Sequence, residues 1–402
     1  MLLIHMRILF LTPQFPHPAR SGGTIKTASV LSYLARRHHL DIVCFAPSEW
    51  SEEQSAWAAR MGEVTTVPMR RDRSALNLVR SYVAGVPLSV YRNRSAELAA
   101  LTLERPHRGE HGAVFVDGWL MAQYVPRGFR GKRVLHQHNA EYVMWQRQAA
   151  YETNPVRRAV VRREAARVRR YEASILDRFD VVLAVSDADR RALRAAGSES
   201  VPIELLPNLP DPALLDRPAG PGESTEQVVI YLATLSWPPN AQGLLRFVRD
   251  TFPLLRSRLP NVRLVVAGTG ASPALRTMAR GVPGVELVGA VDDPETLYAK
   301  ARAFVEVALG GSGTRVKVLN ALARGIPVVT TPDGAEGLAI RPGRDALVSA
   351  TPGAMADALA RLMTDDETWK ELSRNGRALV RKRYVADAAY PILDRIFEAG
   401  DG

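Results

Sequence analysis

Two series of short, almost continuously apolar runs alternate with longer helical patterns, and an aperiodic stretch separates them. The first series covers residues 7–12, 41–46, 113–117, 133–138, 180–185 and 203–206; the second covers 228–232, 262–267, 285–288, 304–307, 327–331 and 346–348. Runs apolar at nearly every position predict strands buried on both faces, as in parallel sheets whose crossovers are helices. The stretch between them, 207–227, is rich in Pro, Gly and acidic residues and reads as a linker. The pattern predicts an α/β chain of two doubly wound Rossmann-like domains, 1–206 and 228–384. Its 402 residues suffice for two such cores.

The net charge of +11 is carried by arginine, since only six of the 53 basic residues are lysine. Abundant Ala, Gly and Pro give one reading of this, an arginine-preferring genome. The other is attraction to phosphorylated substrates or an anionic membrane face. Nucleic acid is not expected, because no basic run is interleaved with aromatic stacking platforms. The single Cys44 lies in the apolar run 41–46 and reads as a small buried hydrophobe in a reducing compartment. His5 and Arg7 interrupt the first apolar residues, so no signal peptide is expected, and Met6 is a candidate natural start. No run approaches the roughly 18 apolar residues of a membrane span. The expectation is a cytoplasmic protein, with peripheral contact at the inner membrane face as a further candidate.

Residues 303–338, AFVEVALGGSGTRVKVLNALARGIPVVTTPDGAEGL, combine the strongest local signals. They predict a strand, a glycine loop, a helix from Thr314 capped by Ser312 or Thr314, a left-handed stop at Gly325 and a second strand. Such a loop presents the bare amides of Gly311, Ser312, Gly313 and Thr314 at a helix N-terminus, a natural phosphate site. Arg315 and Lys317 oppose the helix dipole in the first turn and make better sense with an anion nearby. A tight βα turn without a ligand is the competing reading.

Other positions carry possible chemistry. Gly22 and Gly23 end the loop after the first strand, before a helix expected near Thr24, with Lys26 close by. His136 and His138 are two apart at a strand end and face one side of the sheet. They have metal-ligand character, but no third ligand is apparent, and no metal is expected. Asp187 and Asp189 form an Asp-x-Asp, read here as first-turn acids of a helix capped by Ser186. The arginine-dense helix 156–171 carries a partial stripe of Val156, Val160, Val161, Glu164 and Val168. It reads either as a solvated face supported by Glu164 and Glu172 or as a membrane-surface helix. Glu336 is a loop carboxylate at a strand edge, and Glu306 sits inside an apolar strand without a motif to explain it.

The order GSGTR-x-K, ALARGIPVVTT, GAEGL resembles the donor-binding segment of the retaining GT-B glycosyltransferases of the large group 1 family (family 4). It is most similar to the branch with GSGTR-type loops. His138, Asn139 and Glu141 match that branch's HNxE pattern, and Trp237, Pro239 and Asn240 match the segment after the second domain's first strand. The resemblance implies two Rossmann-like domains facing a central cleft, with the last helix, within 385–402, crossing back to the N-terminal domain. It implies a nucleotide-diphospho-sugar donor, a hydroxyl acceptor of unknown identity, no cofactor and no metal. His138 would lie at the transferring sugar, and Gly22, Gly23 and Lys26 would face acceptor and sugar. Asn240 and Gly311–Lys317 would line the diphosphate, while Gly268 and Val291 would sit near ribose and base, and Glu336 would bond the donor sugar. Most members carry two Glu residues where this chain has Ser312 and Asn320. Asn320 remains a neutral partner for a ribose hydroxyl. That departure motivates one alternative, a non-catalytic nucleotide-sugar-binding protein of the same fold; the other is a nucleotide-sugar epimerase on that fold, which would need acid/base carboxylates around the sugar, and no matching pair is found.

Overall fold

The structure is a computed structural model and describes residues 6–19, 22–46, 49–68, 75–107, 111–197, 200–219, 226–309 and 314–398. The chain divides into two compact units. One comprises Met1–Pro207 with Ala389–Gly402, and the other Asn208–Ala388.

The N-terminal unit is built on seven parallel strands: β1 (Arg7–Thr12), β2 (His39–Phe45), β3 (Glu63–Val67), β4 (Ala113–Asp117), β5 (Lys132–Gln137), β6 (Val181–Ala184) and β7 (Ile203–Leu205). Their order is β3-β2-β1-β4-β5-β6-β7, so the winding reverses between β1 and β4. In open α/β sheets, ligands bind beyond the carboxyl ends of strands at such a reversal. The inner strands are apolar on both faces and wholly buried: Ile8, Leu9, Phe10 and Leu11 pack beside Val114, Phe115 and Val116. The Phe10 and Phe115 rings stack with centroids 4.9 Å apart. Six of the strands coincide with expected runs to within two residues; β3 was not anticipated. Its sequence EVTTV is half exposed at the sheet edge, so it lacks the continuous apolar signal of its neighbours. Cys44 is fully buried in β2, and burial pushes its thiol up to about 12.

The last helix of the described chain, Pro391–Glu398, belongs to this unit. It buries Leu393, Ile396 and Phe397, accepts a hydrogen bond from Tyr33 at Asp394 (2.6 Å), and receives the Lys132 ammonium at the Ile396 carbonyl (2.7 Å).

The C-terminal unit has six parallel strands: β8 (Val228–Leu232), β9 (Arg263–Ala267), β10 (Val285–Gly289), β11 (Ala303–Glu306), β12 (Val328–Thr330) and β13 (Leu347–Val348). Their order is β10-β9-β8-β11-β12-β13, and here the winding reverses between β8 and β11. The helix after β11 spans Val316–Arg324, two residues later than expected, and its N-cap is Arg315, not Thr314 or Ser312. At its other end Gly325 takes the left-handed conformation (φ 81°). A Cβ there would fall 2.9–3.0 Å from Ala219, Arg377 and Ser373, so glycine is required twice over. The helix after β8 starts at Pro238, which places Asn240 inside its first turn.

The expected linker is not a free tether over its described part. Residues 213–216 form a short helix, and Arg377 donates to the carbonyls of Leu215 (2.6 Å) and Arg217 (2.8 Å). Arg324 bonds the Pro218 carbonyl while ion-paired with Glu295 at 2.8 Å. These arginines fasten residues 215–218 to the C-terminal unit.

Candidate active site

In the N-terminal unit, Asp117 closes β4 at the winding reversal, and its carboxylate is completely buried. Register places it opposite His136 of β5, and His138 follows one residue past that strand's end. Oδ1 meets His136 Nδ1 at 2.8 Å and His138 Nε2 at 2.7 Å. Oδ2 accepts from Thr12 Oγ1 at the end of β1 (3.2 Å) and from Thr27 Oγ1 in the helix Gly22–Leu34. Four donors, from β1, the first helix and the end of β5, thus converge on one carboxylate, near its full accepting capacity. Burial alone would raise the Asp117 pKa; the two histidines outweigh it and hold the group well below the usual carboxylate range. Burial lowers His136 to about 3 against the opposing bond from Asp117, so His136 is neutral and donates Nδ1–H.

His138 is the more exposed of the pair, with a quarter of its side chain accessible. Its Nδ1 faces the start of the helix Gly22–Leu34: a Cβ on Gly23 would lie 3.7 Å from it. The fold therefore brings Gly23 and His138 together. Lys26 goes elsewhere. It is buried, its ammonium donates to the carbonyls of Leu206 (2.9 Å) and Pro207, and it lies over the Tyr390 ring. Desolvation lowers its pKa against the attraction of Asp117. This lysine ties the first helix to the end of β7, and no surface of its amine is presented to a ligand.

Asp117 also corrects the count of metal ligands. Sequence alone suggests no third ligand beside the histidines, yet the ligating atoms of Asp117, His136 and His138 lie within 4.8 Å of one another. Two imidazoles and a carboxylate suit a borderline divalent metal. As arranged, each histidine nitrogen facing Asp117 is already hydrogen-bonded to it. Beneath this group, Glu172 accepts from the backbone N–H of Glu141 (2.9 Å) and Tyr142 (2.8 Å), capping the helix Glu141–Tyr151. Burial raises Glu172 to about 8 and Glu141 to about 7.

The second polar cluster stands at the winding reversal of the C-terminal unit. Glu306 ends β11, fully buried; Oε1 accepts from the Ala308 N–H (2.8 Å) and Oε2 pairs with Lys317 Nζ (2.7 Å). The same ammonium donates to Asn240 Oδ1 (3.2 Å) and lies 4.9 Å from the centroid of the Tyr231 ring. Asn240 is held in turn by its Nδ2 bond to the Thr234 carbonyl (2.9 Å). Desolvation lowers the Lys317 pKa, Glu306 opposes that, and the nearby Arg315 cation adds to the lowering. Lys317, Arg315 and Asn240, expected as ligand-binding residues, are therefore brought together at the N-terminus of the helix Val316–Arg324. Thr314 is buried beside them.

The remaining expected positions lie apart from this cluster or have other partners. Asn320 accepts a hydrogen bond from the Asp211 N–H (3.0 Å). Gly268 follows β9 with φ 148°, where a Cβ would collide with the Ala233 carbonyl oxygen at 1.7 Å, so it permits the chain to approach closely just past the carboxyl ends of β8 and β9. Val291 lies in the loop after β10, and Glu336 follows the short helix Pro332–Ala335. Gly311, Ser312 and Gly313 lie outside the described residues. Sequence reasoning missed Asp117 and gave Glu306 no role. The available signal was the same for both, a lone carboxylate in an otherwise apolar strand.

Residues 226–365 match the family model described as "Glycosyl transferases group 1". A 44.6 kDa protein of the Klebsiella pneumoniae cps region is 21% identical over 396 residues, 94% of this chain and 96% of that one. The phosphatidyl-myo-inositol mannosyltransferase of Mycobacterium tuberculosis is 30% identical over 235 residues, which span 55% of this chain and only 60% of the relative. Among solved structures, Anabaena HepE in complex with UDP-glucose superposes with a TM-score of 0.68 at 15% identity, covering 98% of this chain and 100% of that one. The shared architecture is that of the GT-B fold.

Proposed function

We propose that this chain is a glycosyltransferase of the group 1 kind that uses a nucleotide-sugar, a retaining, metal-independent enzyme transferring the sugar to an acceptor hydroxyl. The observation that carries the donor assignment is the cluster of Arg315, Lys317 and Asn240 at a helix N-terminus beside the β8/β11 reversal. It lies inside the segment matching the family. In this reading Arg315 and the helix amides take the diphosphate, and they also stabilise charge developing on the leaving group, where preorganised donors contribute most. Lys317 is held by Glu306 and lends a partly neutralised cation. Asn320, Gly268, Val291, Glu336 and the loop Gly311–Gly313 are the further donor contacts we propose.

On the N-terminal unit, His138 is the group at the reacting sugar. Asp117 fixes its Nε2, leaving the Nδ1 edge toward Gly23, and Gly22 and Gly23 leave room for the sugar and acceptor. A histidine whose orientation is set by a buried carboxylate suits hydrogen bonding to a sugar hydroxyl or support of developing positive charge. Metal independence is what the resemblance to the group 1 glycosyltransferases implies. Retention implies attack on the donor's own face, with the departing phosphate receiving the acceptor proton.

Calorimetric titration of UDP, GDP, ADP and dTDP, with and without EDTA, tests the donor site, with Arg315→Ala alongside. One diphosphate should bind best, unaffected by chelator and weakened about tenfold or more by the substitution, the loss of one charge-assisted contact. Binding that requires added metal, or that ignores the substitution, overturns the assignment. The anomeric configuration of the product, read by NMR, tests retention. Sugar release or inversion at another carbon without acceptor would instead favour the epimerase.

A further inference from the structure

Because β4 and β5 are parallel neighbours, the chain between them returns from the carboxyl edge of the sheet to its amino edge. Residues 125–127 lie on that return, just after the 3-10 helix Trp119–Tyr124. Arg133 is the second residue of β5, and Arg178 stands between the helix Pro155–Leu176 and β6. These three segments meet at the amino edge, opposite Asp117 and His138, and line a cavity of about 320 Å³. That volume lies at the lower end of the range of small-ligand sites, about 300–1,000 Å³.

Among the described residues the lining is Val125, Pro126, Arg127, Arg133 and Arg178, three guanidinium groups and no carboxylate. The protein itself engages the three unequally. Arg133 donates to Asp180 from Nη2 (2.8 Å) and Nε (3.4 Å), and its backbone N–H meets the same carboxylate at 2.8 Å. That pair fixes the Arg133 fork and neutralises one of the three charges. The Arg178 side chain makes one hydrogen bond to a described residue, from Nη2 to the Val125 carbonyl (3.3 Å). Arg127 is exposed, and its side chain makes no hydrogen bond or ion pair with any described residue. A solvated basic face would spread its cations apart. Here they converge from three segments on one concavity, an arrangement that raises the local concentration of anions.

We propose that this cavity binds a small phosphate-bearing anion, at a site separate from those proposed for donor and acceptor. Guanidinium forks match phosphate oxygens two at a time, and several of them around one group suit its double charge. Val125 and Pro126 add an apolar wall for the organic part of a phosphomonoester. The described lining holds no aromatic ring, so it offers a nucleotide base nothing to stack on. Roughly 15 Å of β5 separates Arg133 from His138, too far for one small ligand to touch both. The proposal therefore rests on no part of the sugar-transfer reading. Inorganic phosphate and a sugar phosphate share the recognised group, and titration separates them.

Calorimetric titration of inorganic phosphate, ribose 5-phosphate and acetate into the full chain, at one low ionic strength, tests this. Both phosphates should bind saturably and acetate should not. Tighter binding of ribose 5-phosphate would identify a phosphomonoester as the ligand, and equal binding the inorganic ion. Arg127→Ser should weaken phosphate binding by roughly tenfold, the loss of one charge-assisted contact, and Arg127→Ser/Arg178→Ser should weaken it further. The exposed Arg127 side chain has no described partner to lose, and an unchanged melting temperature would show that variant folded. Binding should survive Arg315→Ala, which removes a cation of the other polar cluster. The proposal is overturned by the absence of saturable phosphate binding, by acetate binding as well as phosphate, or by variants at Arg127 and Arg178 that bind like wild type. Binding abolished by Arg315→Ala also overturns it, because the phosphate then sits on the C-terminal unit.

Discussion

Glu306, wholly buried at the end of β11, holds the ammonium of Lys317 at 2.7 Å. Neither partner is tolerable alone in that position, because an uncompensated buried charge costs far more than the pair contributes. Glu306→Leu is expected to destabilise the protein by about 3 kcal/mol, and Lys317→Met by about the same. The double variant should recover most of the loss, which a double-mutant cycle in urea would measure. Additive losses would mean that the pair is not coupled and that Lys317 finds another counter-ion.

In the proposed mechanism Asp117 acts through His138, to whose Nε2 it is bonded. Replacing it with asparagine keeps the shape but removes the negative charge of the oxygen on which both histidines converge, so the bond that orients His138 Nε2 is no longer charge-assisted. Misplacing a reacting group by about an ångström can cost on the order of a hundredfold in rate. Asp117→Asn should therefore lower kcat by roughly that factor, while the Kd for nucleoside diphosphate, which we propose binds on the other unit, stays unchanged. Equal loss of diphosphate binding would point to general unfolding rather than positioning.

The same cluster sets an acid limit on stability. His136 is held neutral, down to about 3, by burial against Asp117, with His138 and Lys26 as its other charged neighbours. In the unfolded chain it titrates near its ordinary value of about 6.5. Between those two values the unfolded state binds a proton that the native state refuses, so stability falls as pH drops through this window. The slope from this residue is up to about 1.4 kcal/mol per pH unit. Asp117, held low, adds its own loss only below the ordinary carboxylate range. The readout is the imidazole 15N shift: His136 should remain neutral at pH 5 in the folded protein. A midpoint near 6.5 would contradict the burial argument.

The strands were legible because their burial on both faces writes itself as uninterrupted apolar runs, and the edge strand β3 was not, because half-exposure dilutes that signal with threonine and glutamate. Arg315 and Lys317 stood out because cations in a first helical turn oppose the dipole. Asp117 did not, since its meaning arises only when β4 lies beside β5 and sets it opposite His136. Lys26 was misread for a related reason: its sequence neighbourhood is a glycine loop, but its ammonium reaches carbonyls some 180 residues away. Glu306 was visible as a lone acid in a strand, yet only the fold supplies Lys317 as its partner.

Gly22 and Gly23 separate structural from functional demands on the first helix. A Cβ on Gly22 would meet nothing within 4 Å, and one on Gly23 would make only an ordinary contact, 3.7 Å from His138 Nδ1. Neither has a positive φ, so alanine is compatible with the backbone at both. Each substitution should leave stability unchanged or raise it by a few tenths to about 1 kcal/mol, the usual gain for Gly→Ala in a helix. Their effects on catalysis should differ. The Gly23→Ala methyl occupies space beside the Nδ1 edge of His138, where the sugar is proposed to sit, and should depress kcat/KM by roughly tenfold or more, the cost of about 1.4 kcal/mol in transition-state binding. Gly22→Ala should be nearly silent. Thermal melts and steady-state kinetics on the two variants decide the matter: a stable, fully active Gly23→Ala enzyme would move the reacting sugar away from this edge of His138.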